Sequence, residues 1–316
     1  TEKPAVESCE TEPVDAAEST AEKLFNDRYL MANGQAERSV ELTLLVVFQK
    51  AAANHFVKSF MSDRNNKRVE RARTWLLNEI NKKKYISKHE WQRGCVEVVP
   101  GLRGIPWWYD ISIYLGIPMN FLGQVIREEY EVIRDELINL RNEKGFQPYR
   151  GPSWATSHKA KDGVGSESHD SGSWNVFYLM LHDMRFDVNC EKVPKTMELI
   201  NKHLPRNYHH CFFSAVTEKT HIIKHHGPTN KKLRFHMPLL GVKGSRLRVA
   251  DQTMEQTLGK CYVFDDSFEH EAWHDGEETR VILICDFWHP DFSDEEIRFF
   301  KFLQSAKMEQ EKDVVD

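Results

Sequence analysis

The chain has 316 residues, of which 40% are hydrophobic and 29% charged, enough material for one large globular domain or two small ones. A formal net charge of -5, with no basic stripe carrying interleaved aromatics, speaks against a nucleic-acid partner. No apolar run approaches the roughly 20 residues a membrane span needs; the stretch from Leu42 to Phe48 is short and is broken by Thr43.

In chain order, residues 1–20 are rich in Glu, Pro, Ala and Thr without apolar periodicity and are expected to be a disordered acidic tail. Residues 21–95 read as a helical N-terminal extension. Apolar positions recur at helical spacing from Val40 to Ala52, and the Arg/Lys/Asn-rich stretch 64–83 offers Trp75 and Leu76 as anchors behind a solvated basic face. Pro and Gly punctuate residues 96–108, where the main domain is expected to begin and to run to about 300. A long helix is expected over about 118–144, a Gly/Ser/His-rich loop over 151–173, and a polar tail over 301–316.

After Trp174 the pattern becomes short alternating runs separated by turn residues. These are Asn175–Met184, Cys211–Val216, His221–His225, Leu233–Leu240, Arg246–Ala250, Lys260–Phe264 and Arg280–Trp288. Many short strands at such spacing predict a sandwich or barrel. Six cysteines are scattered without a CxxC, which speaks against a cysteine zinc site, and Cys261 and Cys285 are expected to be buried free thiols.

Histidine carries the chemistry. Eight of the 15 histidines fall between His209 and His274, although His is not a typical strand-core residue. His225 is followed 45 residues on by His270, and Arg280 comes ten later. In a double-stranded β-helix such histidines come from facing strands at the barrel mouth. The Arg lies deeper on the next strand, where it can hold the far carboxylate of 2-oxoglutarate. Arg234 and His236, at i and i+2, share a strand face; an inward Arg needs an anionic partner, and a 2-oxoglutarate carboxylate is the natural one. The usual third ligand of a 2-His-1-carboxylate triad would stand two residues after the first His, where the sequence has Gly227. Asp266 is placed to accept a hydrogen bond from a metal-bound water, though on spacing alone it reads as a turn residue.

His-x-Gly-Pro-Thr-Asn (225–230), Leu-Arg-x-His (233–236), Phe-Asp-Asp-Ser-Phe-Glu-His-Glu (264–271) and Asp-x-Trp-His-Pro (286–290) together resemble the aspartyl/asparaginyl β-hydroxylase family, over roughly residues 96–295. The resemblance implies a mainly β fold with helices, a jelly-roll or cupin-like double-stranded β-helix behind an α-helical segment. It implies Fe(II) on His225 and His270, with 2-oxoglutarate and O2 as cosubstrates. By the same resemblance Trp174, Ser214, Arg234, His236 and Arg280 contact 2-oxoglutarate, and Asp266 stands behind the metal. The implied reaction is hydroxylation of Cβ of Asp or Asn in a peptide or protein, an EGF-like domain for animal members. The compartment would be the endoplasmic reticulum lumen if the chain follows those members, and the cytoplasm otherwise. Residues 21–95 are too short for the tetratricopeptide array of animal members. Three alternatives stay open: an oxygenase of the same fold acting on a small molecule or free amino acid, a halogenase with chloride in the Gly227 gap, and a degenerate binding protein.

Overall fold

The computed structural model describes residues 67–109, 129–140, 145–150, 166–181, 184–204 and 206–313. The expected acidic tail, the helical pattern of 37–62 and the start of the expected 118–144 helix lie outside these residues. The described elements begin with helix α1 (Glu70–Ile80) and helix α2 (Tyr130–Asn139). They continue with strands β1 (Gln147–Pro148), β2 (His169–Ser171), β3 (Trp174–Leu181) and β4 (Met184–Arg185). Helices α3 (Asp187–Lys192) and α4 (Pro194–His203) come next. Strands β5 (Asn207–Val216), β6 (Thr220–His225), β7 (Lys232–Leu240), β8 (Ser245–Val249) and β9 (Gln252–Glu255) follow. The chain closes with β10 (Tyr262–Phe264), β11 (His270–His274), β12 (Arg280–Trp288) and helix α5 (Asp294–Asp313).

The strands form two antiparallel sheets in a jelly roll. The larger runs β1-β3-β5-β12-β7-β10, with β4 on β3; the smaller runs β2-β6-β11-β8-β9. Every residue of β12 is buried, because the two faces of this central strand meet different apolar layers. One face, through Ile282 and Ile284, joins Trp174, Val176, Phe212 and the smaller sheet's Ile222 between the sheets. The other, through Val281, Leu283, Cys285 and Phe287, packs under α2 and α4 by way of Ile133, Leu137, Met197 and Ile200. Alternation of side chains along a strand thus sends odd and even positions of one apolar run into two cores. The β7–β8 turn needs Gly241 and Gly244, both at positive φ, where Cβ atoms would meet the backbone of Thr279 and Gly276.

Several expectations change. The run expected to extend from Asn175 to Met184 is β3 with a short return strand, β4. Part of the expected 151–173 loop is strand β2, paired with β6. Helices α3 and α4 were not anticipated. Pro194 opens α4 at a position where its missing N–H costs nothing, and Glu136 of α2 accepts the backbone N–H groups of Lys195 and Thr196. Residues 301–313 are not a tail but the second half of α5.

Trp75 and Leu76 are anchors, as their spacing suggests, and are buried against Phe299, Phe300 and Trp288. The basic face of this stretch is only partly solvated. Arg71 pairs with Glu296 of α5, and that buried carboxylate also accepts the N–H of Arg71 and of Ala72 at the start of α1. Cys285 is not a free thiol. It sits directly opposite Cys211 across β5–β12 and is disulfide-bonded to it, whereas Cys261 is free.

Candidate active site

His225 ends β6 and His270 opens β11, and the two residues are direct partners in the ladder. They come from neighbouring strands of one sheet, not from facing strands as expected. Their rings lie 4.2 Å apart between centroids. His225 Nδ1 is 2.7 Å from the Ile223 carbonyl and His270 Nδ1 is 2.9 Å from the Phe268 carbonyl. A carbonyl only accepts, so each Nδ1 carries the proton and each Nε2 keeps its lone pair. Burial holds His225 down to about 4 and His270 well below the usual histidine range, so both are neutral near pH 7. His226 does not join them; its ring packs over Gly94, where a Cβ would approach it to 2.4 Å.

Gly227 is crowded rather than open. A Cβ there would lie 2.7 Å from Asp266 Cγ, and Asp266 has 0% exposure. The Gly227 N–H also donates to the Asp266 carbonyl at 2.7 Å. The Asp266 carboxylate therefore fills the space that a residue-227 side chain would claim. Oδ2 is held by Lys232 Nζ at 2.7 Å and by Arg234 Nη1 at 3.2 Å, while Oδ1 is buried with no partner among the described residues.

Alternation along β12 places Arg280, Ile282, Ile284 and Asp286 on the inner face, and ladder pairing puts Ser214, His236 and Arg234 beside the last three. Arg280 is 3% exposed, and among the described residues no carboxylate pairs with it. Its polar contact is a long one, Nη1 to Gln256 Oε1 at 3.4 Å, and its Nε has no partner. Burial lowers it to about 10. Gln256 in turn donates to the Tyr262 hydroxyl at 2.7 Å, which lies 3.3 Å from His236 Nδ1; His236 Nε2 is buried and unpaired. Trp174 Nε1 donates to Ser214 Oγ at 2.9 Å, and Tyr149 stacks on the indole at 3.8 Å.

Arg234 faces inward, as argued from its strand, but its anionic partner is supplied by the chain itself. Its Nε and Nη2 make a fork onto both Asp286 oxygens at 2.9 Å. Lys232 Nζ adds 2.8 Å to Asp286 Oδ2, and His210 Nδ1 lies 2.8 Å from the same oxygen. Burial alone would raise Asp286, but Arg234, Lys232 and His210 outweigh it and hold the carboxyl well below the usual range. Lys232 and Asp286 were missed as site residues although the signal was present. Lys232 stands at i, i+2 and i+4 with Arg234 and His236, and Asp286 opens the Asp-x-Trp-His-Pro motif.

These groups suit the cofactors the sequence suggests. Two free Nε2 lone pairs can hold a metal, the Asp266 Oδ1 that has no partner among the described residues can accept from a water on it, and Arg280, which meets no carboxylate among them, can take one. Among the described residues no third His, Cys, Asp or Glu joins the histidines in a three-ligand group.

Two facing antiparallel sheets with a two-histidine rim define a cupin-like jelly roll. Residues 127–290, just over half of the chain, match the family model described as aspartyl/asparaginyl beta-hydroxylase, and the chain belongs to that family. It is 30% identical over 238 residues to the human aspartyl/asparaginyl beta-hydroxylase, covering 73% of this chain and 29% of that protein. It is 33% identical over 143 residues to human aspartate beta-hydroxylase domain-containing protein 2, covering 43% of this chain and 39% of that one. An ornithine lipid ester-linked acyl 2-hydroxylase of Rhizobium tropici is 30% identical over 168 residues, covering 52% of this chain and 56% of that one. The chain thus spans less than a third of the human hydroxylase it matches.

Proposed function

We propose that the chain is an Fe(II)- and 2-oxoglutarate-dependent dioxygenase that hydroxylates Cβ of Asp or Asn in a peptide or protein, releasing succinate and CO2. The observation that carries this reading is the pairing of two proton-locked histidines with a buried Arg280 on the other sheet that meets no carboxylate among the described residues. His225 and His270 would hold the iron through Nε2. Arg280 would bind the distal carboxylate of 2-oxoglutarate, since a buried guanidinium gains most from an anion that desolvates with it. Ser214, oriented by Trp174, and His236, oriented by Tyr262, would supply the neighbouring polar contacts. When bound, iron with 2-oxoglutarate and O2 supplies the oxidising power that replaces a C–H bond of the substrate by C–OH. The jelly roll orients the partners and excludes bulk water.

Asp266 filling the Gly227 gap speaks against the halogenase alternative, because chloride would there face a carboxylate. The name of the Rhizobium relative keeps a lipid acyl chain as the second substrate class to test. The compartment we propose is the endoplasmic reticulum lumen, where the sequence resemblance to animal family members points, with the cytoplasm as the alternative.

The test is 2-oxoglutarate turnover by the full chain against linear and disulfide-bonded Asp/Asn peptides and an acyl-lipid panel, read as a mass gain of one oxygen. Peptide hydroxylation that disappears in His225→Ala is the expected result. Turnover surviving in His225→Ala would overturn the site, and oxidation of lipid alone would overturn the substrate class.

A further inference from the structure

The Asp266 carboxylate fills the gap at Gly227, two residues after His225, where a third ligand would stand, and this raises the question of what stops it from becoming that ligand. Asp266 is fully buried, its backbone carbonyl is bonded to Gly227, and Oδ1 has no partner. A free buried carboxylate beside a dication would move onto it, because an unpaired buried charge is costly and metal coordination relieves that cost. The other oxygen is not free. Lys232 Nζ bridges Asp266 Oδ2 at 2.7 Å and Asp286 Oδ2 at 2.8 Å, and Lys232 itself is 3% exposed. Asp286 is in turn clamped by the Arg234 fork, so the ammonium has a rigid anchor.

We infer that Lys232 is a positioning residue, a tether that withholds Asp266 from the metal and so keeps the centre at two protein ligands with an extra open position. The inference rests on the reading of His225 and His270 as metal ligands. Arg234 also touches Asp266, at 3.2 Å, but its short bonds go to Asp286. Among the described residues, Lys232 is the group with a short contact to both acids. A merely structural Lys232 would change stability when replaced; a tether changes the coordination of the metal as well.

The experiment uses the full apo chain titrated with Zn(II) by calorimetry and with Co(II) by visible absorption, with no turnover required. Lys232→Met, which keeps the volume and removes the charge, is expected to bind both metals at least about tenfold more tightly and to change the Co(II) spectrum, as an added oxygen ligand would. Lys232→Arg is expected to restore the wild-type spectrum. Adding Asp266→Ala to Lys232→Met is expected to abolish the gain. Unchanged or weaker binding with a wild-type Co(II) spectrum in Lys232→Met overturns the tether, as does a gain that persists without Asp266. Should Lys232→Met fail to fold, Lys232→Leu likewise removes both charge and donor and carries the same expectation and the same refutation. The two readings fail separately. If His225→Ala binds Zn(II) like the wild type, the ligand assignment falls; if His225→Ala abolishes binding and the Lys232 variants change nothing, the tether alone falls.

Discussion

Replacing Gly227 by alanine adds one methyl group at a crowded point of the site. The new Cβ would stand 2.7 Å from Asp266 Cγ and Oδ2 and 2.8 Å from Oδ1, about an ångström inside normal carbon–oxygen contact. A flexible side chain would yield, but this one is bolted by Lys232 and Arg234 through Oδ2 and by the Gly227–Asp266 backbone bond. Overpacking of a rigid interior costs about 1–3 kcal/mol, and the upper end applies because the displaced group is a charged member of a buried network. At about 2–4 °C per kcal/mol for a domain of this size, the apo midpoint should fall by about 6–12 °C. The assay is thermal and urea unfolding of Gly227→Ala, Asp266→Ala and the double variant. The reasoning requires non-additivity: with Asp266 truncated, the Gly227→Ala cost should drop below about 1 kcal/mol. A Gly227→Ala variant as stable as wild type, or one equally destabilised in both backgrounds, would refute the crowding.

Arg280→Leu should separate stability from cosubstrate binding. A guanidinium lowered to about 10 by burial opposes folding at pH 7, so the apo variant should be more stable by up to about 3 kcal/mol in urea titration, while calorimetry shows no 2-oxoglutarate binding. Glu296→Ala leaves Arg71 and the first amides of α1 without their buried acceptor, and should cost about 3–5 kcal/mol in urea unfolding. The apo protein should lose stability as pH falls from 6.5 to 4. His225 and His289 are held to about 4, and His236 and His270 well below 6.5, all chiefly by burial, so the unfolded chain binds more protons in that window. Asp265, raised to about 8, and Glu79, raised to about 7, both mainly by burial, act in the opposite sense, but the histidines outnumber them. Urea midpoints measured across pH 4–7 check the sign, and a midpoint that rises on acidification would contradict it.

The strand-rich second half could be read from the sequence because turn residues and alternating apolar runs are local signals, and β5, β6, β7, β10 and β12 fall where those signals place them. Helices α3 and α4 lacked such a signal. They are short, and their register depends on Glu136 and on the apolar layer beneath them. In α5 the deciding partners on the first helix, Trp75 and Leu76, lie far away in sequence, so its polar second half reads alone as a tail. The same division holds at the site. That residue 227 has no side chain, that Arg234 and His236 share a face, and that two histidines stand 45 residues apart are facts of sequence. Which ring nitrogens are free, that Asp266 occupies the Gly227 gap, and that Asp286 rather than a ligand neutralises Arg234 were decided only by the tertiary structure. The physical reason is that buried charge is balanced in three dimensions. A strand pattern says that a cation faces inward, but only the neighbouring strands determine which acid meets it.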